Sequence, residues 1–127
     1  MISRIGLAVV LAAGFPIGAR ADGDAAAGAK VFNRCRACHV ADKEQNRVGP
    51  HLVGIVGRPV ASVDNFRYSD GMAAKGAEGA VWEEGDLAVY LANPKAYVPG
   101  TSMAFPGLKK ADEIDNLIAY LKSVPQP

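Results

Sequence analysis

Cys35-Arg36-Ala37-Cys38-His39 is the stretch that decides how this chain folds. Two thiols separated by two residues and followed at once by histidine form the attachment pattern for a c-type haem. Each thiol can add to one vinyl group of the porphyrin, and His39 then lies under the macrocycle with its imidazole in reach of the iron. Electron transfer is the chemistry this implies. A structural disulfide, half of a zinc site and a thioredoxin-like dithiol compete with that reading. The chain holds two cysteines and two histidines, so a closed zinc site would need the distant His51 besides His39, and a redox dithiol expects a strand before it. The residues before Cys35 have helical spacing instead. A disulfide in an exported protein is the reading left beside haem.

Upstream, residues 1–21 read as a cleavable secretory signal. Arg4 stands near the start, an apolar stretch runs from Ile5 to Ile17, and Ala19-Arg20-Ala21 gives a small-x-small cleavage site. Gly6, Gly14, Pro16 and Gly18 interrupt the stretch, which is shorter than the roughly 20 apolar residues that span a bilayer. Export agrees with haem attachment and places the expected compartment in the periplasm. The remaining residues, 22–127, are of a size for one small domain, in which a buried cofactor would form much of the core. Arg4 and Arg20 account for two of the 14 basic residues, while none of the 13 acidic ones falls in the signal. The mature chain is thus nearly neutral, which argues against bulk electrostatic binding to nucleic acid or anionic lipid.

The expected architecture is all-α. After Asp22-Gly23-Asp24, a helix start, Ala25, Gly28, Ala29 and Phe32 make one apolar stripe leading into the haem motif. Ala111, Ile114, Leu117, Ile118 and Leu121 make a second, with Asp112 as the expected cap and Pro125 as the stop. Gly28 lets a helix approach closely, and Leu117 or Tyr120 is expected to fill the space, so the two terminal helices should cross. A third helix is expected from Glu83 to Leu91, limited by Pro94, and a short one around Asp70 to Lys75. Strand signals are scarce. The Gly- and Pro-rich run from Val40 to Asn65 is long enough to need a reason, such as wrapping a ligand.

Iron bound by His39 needs a sixth ligand or an open face. Met103 lies in a stiff segment after Pro99-Gly100-Thr101-Ser102, whereas Met72 sits among helix-like residues. Met103 is either that ligand or a loop methionine packed on the haem edge. Trp82 and Tyr90 read equally as ordinary core aromatics, and Arg58 as a solvated loop charge.

With those residues in view, the chain resembles the class I cytochromes c, in particular the short bacterial cytochromes c2 that look most like mitochondrial cytochrome c. The likeness rests on Cys35 to His39, Gly49-Pro50, Gly57-Arg58, Phe66-Arg-Tyr-Ser-Asp70, Trp82, Tyr90 to Met103 and Leu117 to Lys122. The resemblance implies a small cytochrome c fold: three main helices, short helices and long loops around one haem c. It implies thioethers at Cys35 and Cys38, axial ligation by His39 and Met103, and a hydrogen bond between His39 and the Pro50 carbonyl. Arg58, Tyr68 and Trp82 would serve a buried propionate, with Tyr90 and Thr101 near the methionine. Met72 stands where the mitochondrial pattern has asparagine, and a small insertion is expected around Lys75 to Gly79.

The function implied is that of a non-enzymatic, monomeric carrier. It would take single electrons from a cytochrome bc1-type complex to a photosynthetic reaction centre or terminal oxidase, docking only transiently on membrane proteins. Lys30, Arg34, Arg36, Lys43, Arg47, Lys95, Lys109 and Lys110 are the cations available to a docking edge. A haem enzyme or gas sensor with Met103 off the iron, and a carrier dedicated to one periplasmic dehydrogenase, are the alternatives.

Overall fold

The computed structural model describes residues 23–124. The signal expected over residues 1–21 and the Pro125 stop lie outside them. The described residues form five helices: α1 (Ala25–Phe32), α2 (Asp70–Ala77), α3 (Glu84–Ala92), α4 (Pro94–Tyr97) and α5 (Ala111–Ser123). Among the described residues the only β pairing is an isolated antiparallel bridge between Pro59 and Val81.

Local chemistry explains the helix starts. The Asp24 carboxylate accepts from the backbone N–H groups of Ala26 and Ala27, at 2.9 and 3.3 Å, which satisfies two of the first-turn donors of α1. Ser69 does the same for α2 through Met72 N. Asp112 does not cap α5. The N-cap is Lys110, without a side-chain bond, and Asp112 lies inside the first turn with Glu113, where both carboxylates favour the positive end of the helix dipole. Pro94 likewise does more than limit α3. Asn93 caps a new turn by accepting from Ala96 N, and Pro94 opens α4 at the position where its missing N–H costs nothing. α2 runs two residues beyond the expected Lys75, through Gly76 to Ala77.

α1 and α5 cross at Gly28. A Cβ on Gly28 would collide with the backbone carbonyl of Asn116 and stand 2.8 Å from Tyr120 Cβ. The space is therefore taken by the main chain of α5 and by Tyr120, not by Leu117. Leu117 is buried beside Ile114, Ile118 and Leu121 on the stripe the spacing predicts. Phe32 meets Tyr120 with ring centroids 5.2 Å apart, and Asp24 N donates to Asn116 Oδ1 at 2.8 Å. At the rim, Arg34 pairs with Glu113 at 2.9 Å, and Lys122 pairs with Glu84 at 2.6 Å, tying α5 to α3.

The loop from Val40 to Asn65 buries Val40, Ala41, Val53, Ile55 and Val60 in the core. Its end is pinned to the segment before α3. Gly57 N donates to Trp82 O, Trp82 N to Arg58 O and Val60 N to Ala80 O, at 2.8–2.9 Å.

Candidate functional site

The chain continues from α1 through tight turns that carry the Cys-x-x-Cys-His motif. Cys35 N donates to Phe32 O, Cys38 N to Cys35 O and His39 N to Cys35 O, at 2.8, 3.1 and 2.9 Å. One turn of such geometry separates the two thiols and places them on one side. Neither forms a disulfide, and both are half-buried. Burial pushes the Cys35 thiol up, a shift that Arg34 opposes, Cys38 reinforces and Arg36 opposes.

His39 is held by the next loop. Its Nδ1 lies 2.7 Å from the Pro50 carbonyl oxygen. A carbonyl can only accept, so Nδ1 carries the proton and donates, which leaves the Nε2 lone pair for a metal. Gly49 cradles the ring, since a Cβ there would stand 2.7 Å from Nδ1 and 2.8 Å from Nε2. Burial holds the imidazole pKa below its usual value. The Pro50 bond works against that shift, and Arg58 adds to it. A neutral imidazole with its second nitrogen fixed is the form that ligates iron.

Met103 is held from α3 and from its own loop. The Tyr90 hydroxyl donates to Met103 Sδ at 3.6 Å, and Met103 N donates to Thr101 Oγ1 at 3.2 Å. Thr101 N closes a turn on Val98 O, helped by Gly100 at φ +74°. Burial raises the Tyr90 pKa, against the opposing effect of its hydrogen bond with Thr101. Sequence reasoning missed Tyr97 in this cluster. Its ring centroid lies 5.9 Å from those of both Trp82 and Tyr90, which are themselves 4.9 Å apart. The Asn93-Pro94 helix start was the available signal.

Arg58 is no solvated charge. One guanidinium nitrogen donates to the carbonyls of His51 and Val53, at 3.0 and 3.1 Å, while its Nε is buried without a protein acceptor. Burial lowers its pKa, and nearby Tyr68 works against this. Tyr68 Oη accepts from Val63 N at 3.1 Å, and Trp82 is buried against Tyr90. A buried cationic donor lacking an acceptor suits a carboxylate partner. That orphan N–H, the two free thiols and the free imidazole nitrogen together fit a haem with its propionate.

The family model described as Cytochrome c matches residues 25–125. This chain belongs to the cytochrome c family. The cytochrome c2 of Afifella marina is 50% identical over 99 residues, covering 77% of this chain and 80% of the relative. Cytochrome c-550 of Ancylobacter novellus is also 50% identical over 99 residues, covering 77% and 92%. Among solved structures, cytochrome cH from Methylobacterium extorquens superposes with a TM-score of 0.72 at 45% identity, covering 80% of this chain and 99% of that one. As a cytochrome c the chain carries one covalent haem c with its iron, and it is an electron carrier with redox proteins as partners. No described helix is long and apolar enough to cross a membrane.

Five of the eight cations named for a docking edge have defined surroundings. Arg34 is engaged by Glu113, and Lys109 Nζ donates to the carbonyls of Ala92 and Pro106. Arg36, Lys43 and Arg47, with Asp42, line one open cleft beside His39, Phe32 and Tyr120.

Proposed function

We propose that this cytochrome c is a soluble, monomeric carrier, exported by residues 1–21 to the periplasm and shuttling single electrons from a cytochrome bc1-type complex to a photosynthetic reaction centre or terminal oxidase. In this reading Cys35 and Cys38 form the thioethers, and His39 and Met103 are the axial ligands. Arg58, Tyr68 and Trp82 hold a propionate. The bound haem supplies a one-electron ferric–ferrous couple.

The observation that carries the reading is that both ligand side chains are held by groups other than a metal. The Pro50 carbonyl orients His39, and Tyr90 with Thr101 orients Met103. Ligands fixed this way keep their positions in both oxidation states, so little structure has to rearrange with each electron. The apolar shell of Trp82, Val98 and Leu108 excludes water, which favours the less charged ferrous state and a positive potential.

The test is the absorption spectrum of periplasmically matured protein, including the weak far-red band of ferric haem bound by methionine sulfur. The band should be present in wild type and absent in Met103→Ala. A wild type that lacks it and binds carbon monoxide readily has an open sixth position, and the carrier reading falls.

A further inference from the structure

The segment carrying Met103 is braced from a side that neither Tyr90 nor Thr101 accounts for. α2 crosses it at two points. Gly71 lies so close to the Pro99 carbonyl that a Cβ would collide with that oxygen, and the same Cβ would stand 3.3 Å from Val98 Cγ1. One turn on, Lys75 Nζ sits 4.3 Å from the centroid of the Tyr97 ring. The opposite flank of α2 is fixed as well, because a Cβ on Gly76 would stand 2.6 Å from the Val60 carbonyl oxygen and 2.9 Å from Ala61 Cβ. α2 is thus wedged between the turn at Val60 and Ala61 and the 97–100 segment. From Lys75 the contacts run on without a gap. Tyr97 packs on Tyr90, and Tyr90 donates to Met103 Sδ.

We propose that Lys75 is a positioning residue for Met103. Lying over Tyr97, it holds the 97–103 segment closed and so limits access of outside ligands to the sixth coordination position. The inference rests on reading Met103 as an iron ligand. An outside ligand that displaces Met103 must bind a state in which this segment has swung away, and its apparent affinity scales with the population of that state. Swinging away uncovers the face of Tyr97 and loses the cation–ring attraction. For a half-buried ammonium that attraction corresponds to a population change of about two- to five-fold.

The experiment is a titration of the ferric holoprotein with imidazole at neutral pH, followed by loss of the far-red band, with urea midpoints measured alongside. Lys75→Ala should bind imidazole about two- to five-fold more tightly than wild type. Lys75→Arg keeps a cation over the ring and should return to wild-type affinity. Gly71→Ala, which pushes α2 off Pro99, should also bind more tightly. Wild-type affinity in Lys75→Ala overturns the proposal, even if its urea midpoint falls, and so does a Lys75→Arg protein that behaves like Lys75→Ala. Absence of the far-red band in wild type overturns the Met103 reading along with it, whereas a band that imidazole removes at the same concentrations in wild type and Lys75→Ala overturns this inference alone.

Discussion

The hydroxyl of Tyr90 donates to the sulfur of Met103 at 3.6 Å, linking the last turn of α3 to a side chain thirteen positions later. A donor at sulfur withdraws electron density and weakens donation to ferric more than to ferrous iron. We predict that Tyr90→Phe, which keeps the ring against Trp82 and Tyr97, lowers the reduction potential. A differential of about 0.5–1 kcal/mol for one neutral hydrogen bond corresponds to roughly 20–40 mV for one electron. A spectroelectrochemical titration measures it, and an unchanged potential would show that this hydroxyl does not act on the iron.

Gly28→Ala sets two effects against each other. Alanine improves helix propensity by about 1 kcal/mol. The added Cβ meets the Asn116 carbonyl, a backbone group that cannot rotate away, and overpacking of that kind costs about 1–3 kcal/mol or more. Because a backbone group takes the clash, the cost falls at the upper end of that range, and about 3 less about 1 leaves an expected net loss of about 2 kcal/mol in urea unfolding of the holoprotein. A midpoint that rises instead would mean that α1 and α5 separate without cost.

His51 should make stability depend on pH. Its Nδ1 accepts from Val53 N at 3.3 Å, so the neutral ring is the one that fits. Burial lowers its pKa and Arg58 lowers it further, against a smaller opposite effect of Glu44. The unfolded chain then binds the proton more readily, and stability is lost as pH falls through and below the unfolded value of about 6.5. His51→Asn keeps an acceptor without the titration. Urea midpoints at about pH 7.5 and 5.5 should differ less in the variant than in wild type, and equal differences would remove His51 as a source.

Arg36, Lys43 and Arg47 share one cleft beside the thiol motif. If a negatively charged partner docks there, Arg36→Glu should slow reduction by a bc1-type complex several-fold at low ionic strength. The gap to wild type should close as salt is added. Equal rates at low salt would place docking elsewhere.

The sequence made the helices visible where side chains mark a face. Ala25 to Phe32 and Ile114 to Leu121 show the spacing, and α1 and α5 pack along those stripes. Contacts made by the main chain were harder to see. Gly28 signalled a close approach, but the group that arrives is the Asn116 carbonyl, which has no residue-type signature. Gly49 was legible as part of a motif, while its role as a cradle for His39 required coordinates. Pro94 read as a stop because proline ends helices as often as it begins them, and only the Asn93 side-chain bond to Ala96 N shows which applies. Arg58 by itself read as a solvated charge, and only the family resemblance pointed to a buried donor; its Nε is buried.

Asp24 and Asn116 share a hydrogen bond across 92 positions of chain. The first helix therefore has no partner until nearly all of the polypeptide has been made. Loops of this length close late relative to local structure. Throughout that interval Cys35 and Cys38 follow a helix that lacks its packing partner. The crossing of α1 and α5 thus cannot form before the last helix has been made.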